Sequence, residues 1–152
     1  MKRKGIVVLS LLITCLFIPL APVVSCEEQE WYEDLIVDNI DTTHNLLRTK
    51  HTAWVTIKNI GNYPVQETFT LALYFEQWNT ETHMHILSLI KTWDINGLGA
   101  PPLNFKIKVY THSWTNPDPN VWQARFSAKV DYYNDIEESN ETNNIGYGEW
   151  FV

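Results

Sequence analysis

The sequence predicts an all-β chain folded as an immunoglobulin-like sandwich of about seven antiparallel strands. Three observations carry this. Apolar residues alternate with polar ones at period two in segment after segment, the signature of strands with one buried face. Clusters such as Gly61-Asn62-Tyr63-Pro64 and Asn116-Pro117-Asp118-Pro119-Asn120 interrupt these segments as turns do. No stretch after residue 25 shows an amphipathic helical period.

The elements follow in order. Leu35 to Ile40 opens the set, and Asp41 to Asn45 reads as a polar loop. From Thr52 to Ile60, Ala53, Val55 and Ile57 alternate against Trp54, Thr56 and Lys58. From Glu67 to Glu76, Phe69, Leu71, Leu73 and Phe75 share one face, and a polar turn is expected around Trp78-Asn79-Thr80-Glu81. His83 to Ile95 is rich in β-formers but less regular, as an edge or crossing strand would be, and Asn96 to Pro102 breaks it. Phe105 to Val109 alternates again. Trp122 to Val130 is the clearest strand, with Trp122, Ala124, Phe126, Ala128 and Val130 on one side. Asn144 to Val152 supplies the last.

The N-terminus is an address. Met1-Lys2-Arg3-Lys4 precedes an apolar run from Ile6 to Val24, the layout of a secretory signal peptide over residues 1–25. An uncleaved N-terminal anchor is the alternative, since the run is about long enough to span a bilayer. Either way the rest of the chain is expected outside, in the extracellular space or on the outer face of the membrane. Val23-Val24-Ser25-Cys26 resembles the lipobox of prokaryotic lipoproteins, which makes Cys26 the candidate lipidation site. Plain cleavage after Ser25 or Cys26 fits as well. The membrane is then reached only through that lipid or anchor. Residues 26–33 form an acidic leader and residues 34–152 the domain.

The 152 residues carry 11 basic and 18 acidic side chains, a net charge of −7. Loss of residues 1–25 removes Lys2, Arg3 and Lys4 and leaves 8 basic against 18 acidic side chains, a net −10. Such a surface does not seek nucleic acid, which needs clustered Lys and Arg. Cys26 would be the sole cysteine after cleavage, so no internal disulfide is expected and stability must come from a packed core.

Two segments carry a resemblance to a known family. Val55-Thr56-Ile57-Lys58-Asn59-Ile60-Gly61-Asn62, continued by the strand to Phe75, is similar to an early strand pair of CARDB domains, cell-adhesion-related domains of bacteria and archaea. Val130-Asp131-Tyr132-Tyr133-Asn134-Asp135-Ile136-Glu137-Glu138-Ser139-Asn140-Glu141-Thr142-Asn143-Asn144 resembles the family's most distinctive stretch. Asp34-Leu35-Ile36-Val37 resembles its first strand. The resemblance implies an immunoglobulin-like module of an exported protein, without enzymatic activity, that acts by adhesion or as a spacer. The segment from His83 to Pro102 is longer than the family's pattern and leaves the topology there open.

Candidate sites follow from residue chemistry. In the acidic, Asn-rich segment, side-chain oxygens are expected to cap backbone amides in turns. Asp131, Asp135, Glu138 and Glu141 also offer the hard oxygens that calcium prefers, though the EF-hand spacing is absent. Calcium is the one cofactor that these residues suggest. Asn140-Glu141-Thr142 is a glycosylation sequon. His83 and His85 are a fragment of a metal site at most, and a polar strand edge is the simpler reading. No nucleophile motif or phosphate-binding loop is present, and catalysis is not expected. Trp54, on the polar face of its strand, and Trp78 and Trp114, in or beside loops, are the candidates for binding a ligand. The expected function is therefore an exported interaction module with a protein or cell-surface glycan partner. The alternatives are a carbohydrate-binding module using exposed aromatics, or an accessory or inhibitor subunit docking by a strand edge.

Overall fold

The computed structural model describes residues 30–102 and 104–152. The expected signal peptide, Cys26 and the first residues of the acidic leader lie outside the described residues. The chain forms seven strands: β1 Leu35–His44, β2 Lys50–Asn59, β3 Val65–Asn79, β4 His85–Leu98, β5 Phe105–Ser113, β6 Trp122–Lys129 and β7 Ile145–Tyr147. They assemble as a three-stranded sheet of order β1-β2-β5 and a four-stranded sheet of order β4-β3-β6-β7, every neighbouring pair antiparallel. This is the sandwich that the alternation predicts.

The core is built from the inward set of each strand. Ala53, Val55 and Ile57 of β2 meet Phe69, Leu71, Leu73 and Phe75 of β3 and Ala124, Phe126 and Ala128 of β6. The Phe75 and Phe126 rings sit edge to face, 5.3 Å between centroids. Burial of about 1.5–3 kcal/mol per large apolar side chain supplies the main folding force.

Several boundaries differ from the expectation. Asp41 to His44 are not a loop: they pair with residues 51–54 and extend β1. The reversal lies at residues 45–49, where the Asn45 side-chain oxygen accepts the amides of Thr49 and Lys50 at 2.8 and 2.9 Å. Trp78 is likewise in strand, because β3 runs on to Asn79, whose side chain caps the amides of Glu81 and Thr82. His83 sits in that turn with φ 58°, so it does not share a strand face with His85. β4 continues to Leu98, where Gly97 takes φ 62°. The last strand is only three residues long, and the chain returns to β6 through an isolated bridge between Phe151 and Ala124.

In β5 the alternation is as predicted, but the apolar set faces outward. Phe105, Ile107 and Val109 are exposed, and Val109 lies directly opposite the outward Trp54. The Lys106 ammonium turns the other way and donates to the carbonyls of Asn96 and Gly97 at the end of β4.

β7 approaches β1 closely enough to require glycine. A Cβ on Gly146 would stand 2.5 Å from Cγ1 of Val37. Gly146→Ala is expected to cost about 1–3 kcal/mol through overpacking, read as a lower urea midpoint with an unchanged m-value.

Candidate functional site

Two regions concentrate chemistry. The first is the outer face of the four-stranded sheet. On β3 the residues alternating with the core set point outward: Tyr74, Glu76 and Trp78. Cross-strand register lays out rows. His85 and Gln123 flank Trp78, Leu87 and Arg125 flank Glu76, and Leu89 and Ser127 flank Tyr74. Tyr147 extends the last row from Ser127, and Ile145 pairs with Lys129 in the next.

At the centre is an ion pair. The Arg125 guanidinium donates to Glu76 Oε2 at 2.8 and 2.9 Å, and His85 Nε2 lies 3.4 Å from the same oxygen. Glu76 points away from the core yet is only 3% exposed, because its neighbours close over it. Arg125 is held from the other side by two rings, with its guanidinium carbon 4.3 Å from the Tyr147 centroid and 4.4 Å from that of Trp150. Around this centre Leu87, Leu89, Ile145, Tyr147 and Trp150 remain exposed. A shallow groove of about 180 Å³ runs between Tyr74, Leu87, Ile145 and Tyr147.

The second region is the acidic segment after β6. Asp131 is fully buried at φ 45°, and its two carboxylate oxygens accept the amides of Asp135 and Ile136 at 2.9 and 3.1 Å. Glu138 accepts the Leu35 amide with one oxygen and the Asn144 side-chain amide with the other. Glu141 accepts the Glu138 amide at 3.0 Å. Asp34 accepts from the Ser139 hydroxyl and the Asn143 side chain, each at 2.7 Å. The segment thereby staples the start of β1 to the far end of the chain. Burial, reinforced by the Glu141 and Asp131 charges, pushes the Glu138 carboxyl up to about 7 against the opposing amide bonds.

Carboxylate oxygens of Asp131, Glu138 and Glu141 lie within 4.8 Å of one another, the span of a single cation's ligands. Asp135, the fourth residue expected there, is not in that group and is exposed. The side-chain oxygens of Asn143 and Asn144 are buried without a partner, while their amide nitrogens already contact Asp34 and Glu138. Glu138 also borders a groove of about 500 Å³ walled by Trp31, Tyr32, Tyr63, Glu33 and Glu137. The Asn140 side chain accepts the Thr142 amide and hydroxyl in an exposed turn.

The three tryptophans singled out from the sequence are not brought together. Trp54 stands 44% exposed on the outer face of the three-stranded sheet, and Trp78 lies on the outer face of the other sheet between the His83 and His85 rings. Trp114 packs against the core, edge to face with Phe75, and its indole N–H donates to Gln77 at 3.0 Å. Sequence reading missed Tyr147 and Trp150, whose signal was only their place beside glycines in the last segment. It also missed Arg125 and Glu76, which become a pair only through register.

Comparison with known proteins fits this architecture. The family model for CARDB matches residues 32–147. The fold is similar to the crystal structure of a CARDB domain from Pyrococcus furiosus, described as in complex with di-metal ions, at 24% identity over 78% of this chain and 92% of that one, with a TM-score of 0.57. A solution structure from a Methanosarcina acetivorans protein named as a cell surface protein aligns at 19% identity over 77% of this chain and 89% of that one, TM-score 0.56. No curated protein matches the sequence. With a match over most of its length and the same two-sheet architecture, the chain belongs to the CARDB family.

Proposed function

We propose that this chain is an exported, non-catalytic cell-surface module that docks a protein partner on the outer face of its four-stranded sheet. The carrying observation is the Arg125–Glu76 pair clamped by Tyr147 and Trp150 within a rim of exposed Leu87, Leu89 and Ile145. Aromatic and Arg side chains over a desolvated centre are what binding hot spots are made of. The layout favours a protein over a glycan, because Trp54, Trp78 and Trp114 lie on separate surfaces and offer no shared row for sugar rings. The signal sequence and Cys26 support export and a lipid tether, and mass spectrometry of the mature N-terminus tests both. Partner capture by the mature domain tests the docking face. Trp150→Ala and Tyr147→Ala are each expected to weaken it on the order of 30-fold, with Trp54→Ala unchanged. The reverse pattern removes this face from the reading.

A second reading rests on the Asp131, Glu138 and Glu141 carboxylates together with the unpartnered oxygen of Asn144, whose amide nitrogen bonds Glu138: a hard cation, calcium by ligand type. The P. furiosus relative's description as a di-metal complex adds support. Calcium requires Glu138 ionised, so affinity is expected to fall as pH drops below about 7. Millimolar calcium should raise the melting temperature at pH 8 and do so much less at pH 6. An unchanged melting temperature at pH 8 argues against the site.

A further inference from the structure

Three imidazoles form one row across the three-stranded sheet. His44 of β1 lies opposite His51 of β2, and His51 lies opposite His112 of β5. Directly opposed residues share a face, and here it is the inner one, because His51 is 1% exposed in line with buried Ala53, Val55 and Ile57. The row closes one end of the sandwich. Phe151 stacks on His51, 4.7 Å between centroids at 15°, and sits equally close to His44, while His112 lies 4.6 Å from Phe75.

The hydrogen bonds fix the tautomers. The Trp114 carbonyl can only accept, so His51 Nε2 carries the proton of their 3.0 Å bond. A neutral His51 then offers a lone pair at Nδ1. The Nδ1 of His44, 2.7 Å away, must donate to it. That bond holds only while one of the two facing Nδ1 atoms is unprotonated. With both protonated, two N–H groups would meet head to head across 2.7 Å. The neighbours do not relieve the charge. Arg48 bears on His44 and also binds the Val152 oxygen at 2.8 Å, His112 adds a third imidazole, and β3 and β6 bring Phe75, Gln77 and Phe126. Among the described residues no Asp or Glu is salt-bridged to the row.

The segment that seals this row also carries part of the docking face. Phe151 points inward onto the histidines, while Tyr147 and Trp150 point outward onto Arg125. Its attachment to β6 is short: Gly148 donates to Phe126, and Phe151 exchanges two backbone bonds with Ala124. We propose that the His44–His51–His112 row is an acid-sensitive latch, whose protonation releases the segment from Gly148 to Val152 and loosens the Tyr147–Trp150 clamp on the outer face. The consequence for binding rests on the outer face being the docking surface; the latch itself does not.

The direction follows from the environment. Burial first, then the charge of His51, lowers both His44 and His112 below the ordinary imidazole value, with Arg48 adding to the effect on His44. The unfolded chain therefore takes up protons first as pH falls. The stabilisation is whole above about pH 6.5 and is lost as pH drops toward the depressed folded values.

Amide hydrogen exchange of the partner-free protein tests the latch. Between pH 7.5 and 5.5, after correction for intrinsic exchange, protection at Ala124, Gly148 and Phe151 should fall by about tenfold more than at Leu71 and Leu73 of β3. The double variant His44→Gln, His112→Gln should abolish that difference. Equal pH response at both sets of amides, or an undiminished difference in the double variant, overturns the proposal. Should the double variant fail to fold, proton NMR of the wild type decides. The Phe151 ring resonances must move with the histidine midpoint, and an independent midpoint overturns it. Exchange is read without a partner, so failure of the latch leaves the docking reading standing. Acid-dependent exchange with partner capture indifferent to Trp150→Ala removes the docking reading alone.

Discussion

Arg125→Ala is expected to destabilise the domain by about 3–5 kcal/mol, more than its half-buried position on the outer face suggests. The reason lies in Glu76, which is 3% exposed and whose Oε2 takes both guanidinium contacts. Without Arg125 a carboxylate remains beneath Leu87, Tyr74 and Trp78 with only the His85 contact at 3.4 Å. Tyr147 and Trp150 lose the cation between them as well, worth about 0.5–2 kcal/mol for each ring. The double variant Glu76→Leu, Arg125→Met separates these contributions. It removes both charges and keeps the volume, and should recover most of the loss, since replacing a whole buried pair is often neutral. Urea denaturation of wild type, Glu76→Leu, Arg125→Met and the double variant gives the coupling energy. Additive single effects would mean that the pair contributes nothing beyond its separate side chains. On the proposed docking reading, the same double variant should still lose partner capture, because the charged centre of the outer face is gone.

Strands with one fully buried face were legible from the sequence nearly residue by residue. In β6, Ala124, Phe126 and Ala128 face the core as their alternation says, and in β3 so do Phe69, Leu71, Leu73 and Phe75. Reading fails where a strand lies at an edge. β4 pairs only with β3, and over its first half Ile86, Leu87 and Leu89 are exposed on both faces, so no period-two pattern is imposed there. β5 keeps its alternation but presents Ile107 and Val109 to solvent. Register with β2 sets its face, and Lys106 is needed inside to meet the carbonyls ending β4. Polar residues misled in the opposite direction. Asp41 to His44 resemble a loop in composition, yet they carry the ladder that brings His44 to His51. The ion pair at the centre of the outer face was invisible because Glu76 and Arg125 lie 49 positions apart and meet only through strand register. The acidic segment was legible as a set of caps, because Asp and Asn oxygens do the same local work in any fold.

Asp131→Ala is the other large effect expected, a loss of about 2–4 kcal/mol, the cost of leaving one buried and one part-buried amide without an acceptor. Asp131 is fully buried in a left-handed conformation, and both its oxygens are used, one by the Asp135 amide and one by that of Ile136. These bonds position Ile136 in the core and start the turn that carries Glu138 to the Leu35 amide. Asparagine keeps one accepting oxygen and tolerates the backbone, so Asp131→Asn should retain a large part of the stability. Both variants should also change the response to pH through Glu138. Its folded carboxyl is raised to about 7, so its contribution is complete below the unfolded value near 4.5 and is lost as pH rises through 7. Part of that elevation comes from the Asp131 charge. Removing the charge in Asp131→Asn should therefore lower the Glu138 midpoint, a shift that carbon-13 NMR of the Glu138 carboxyl reads directly. An unchanged midpoint would mean that burial and Glu141 hold the proton on Glu138 without Asp131, and that the Asp131 and Glu138 carboxylates do not share a field. That result would also weaken the cation reading, since a site for calcium needs their oxygens to act on the same point in space.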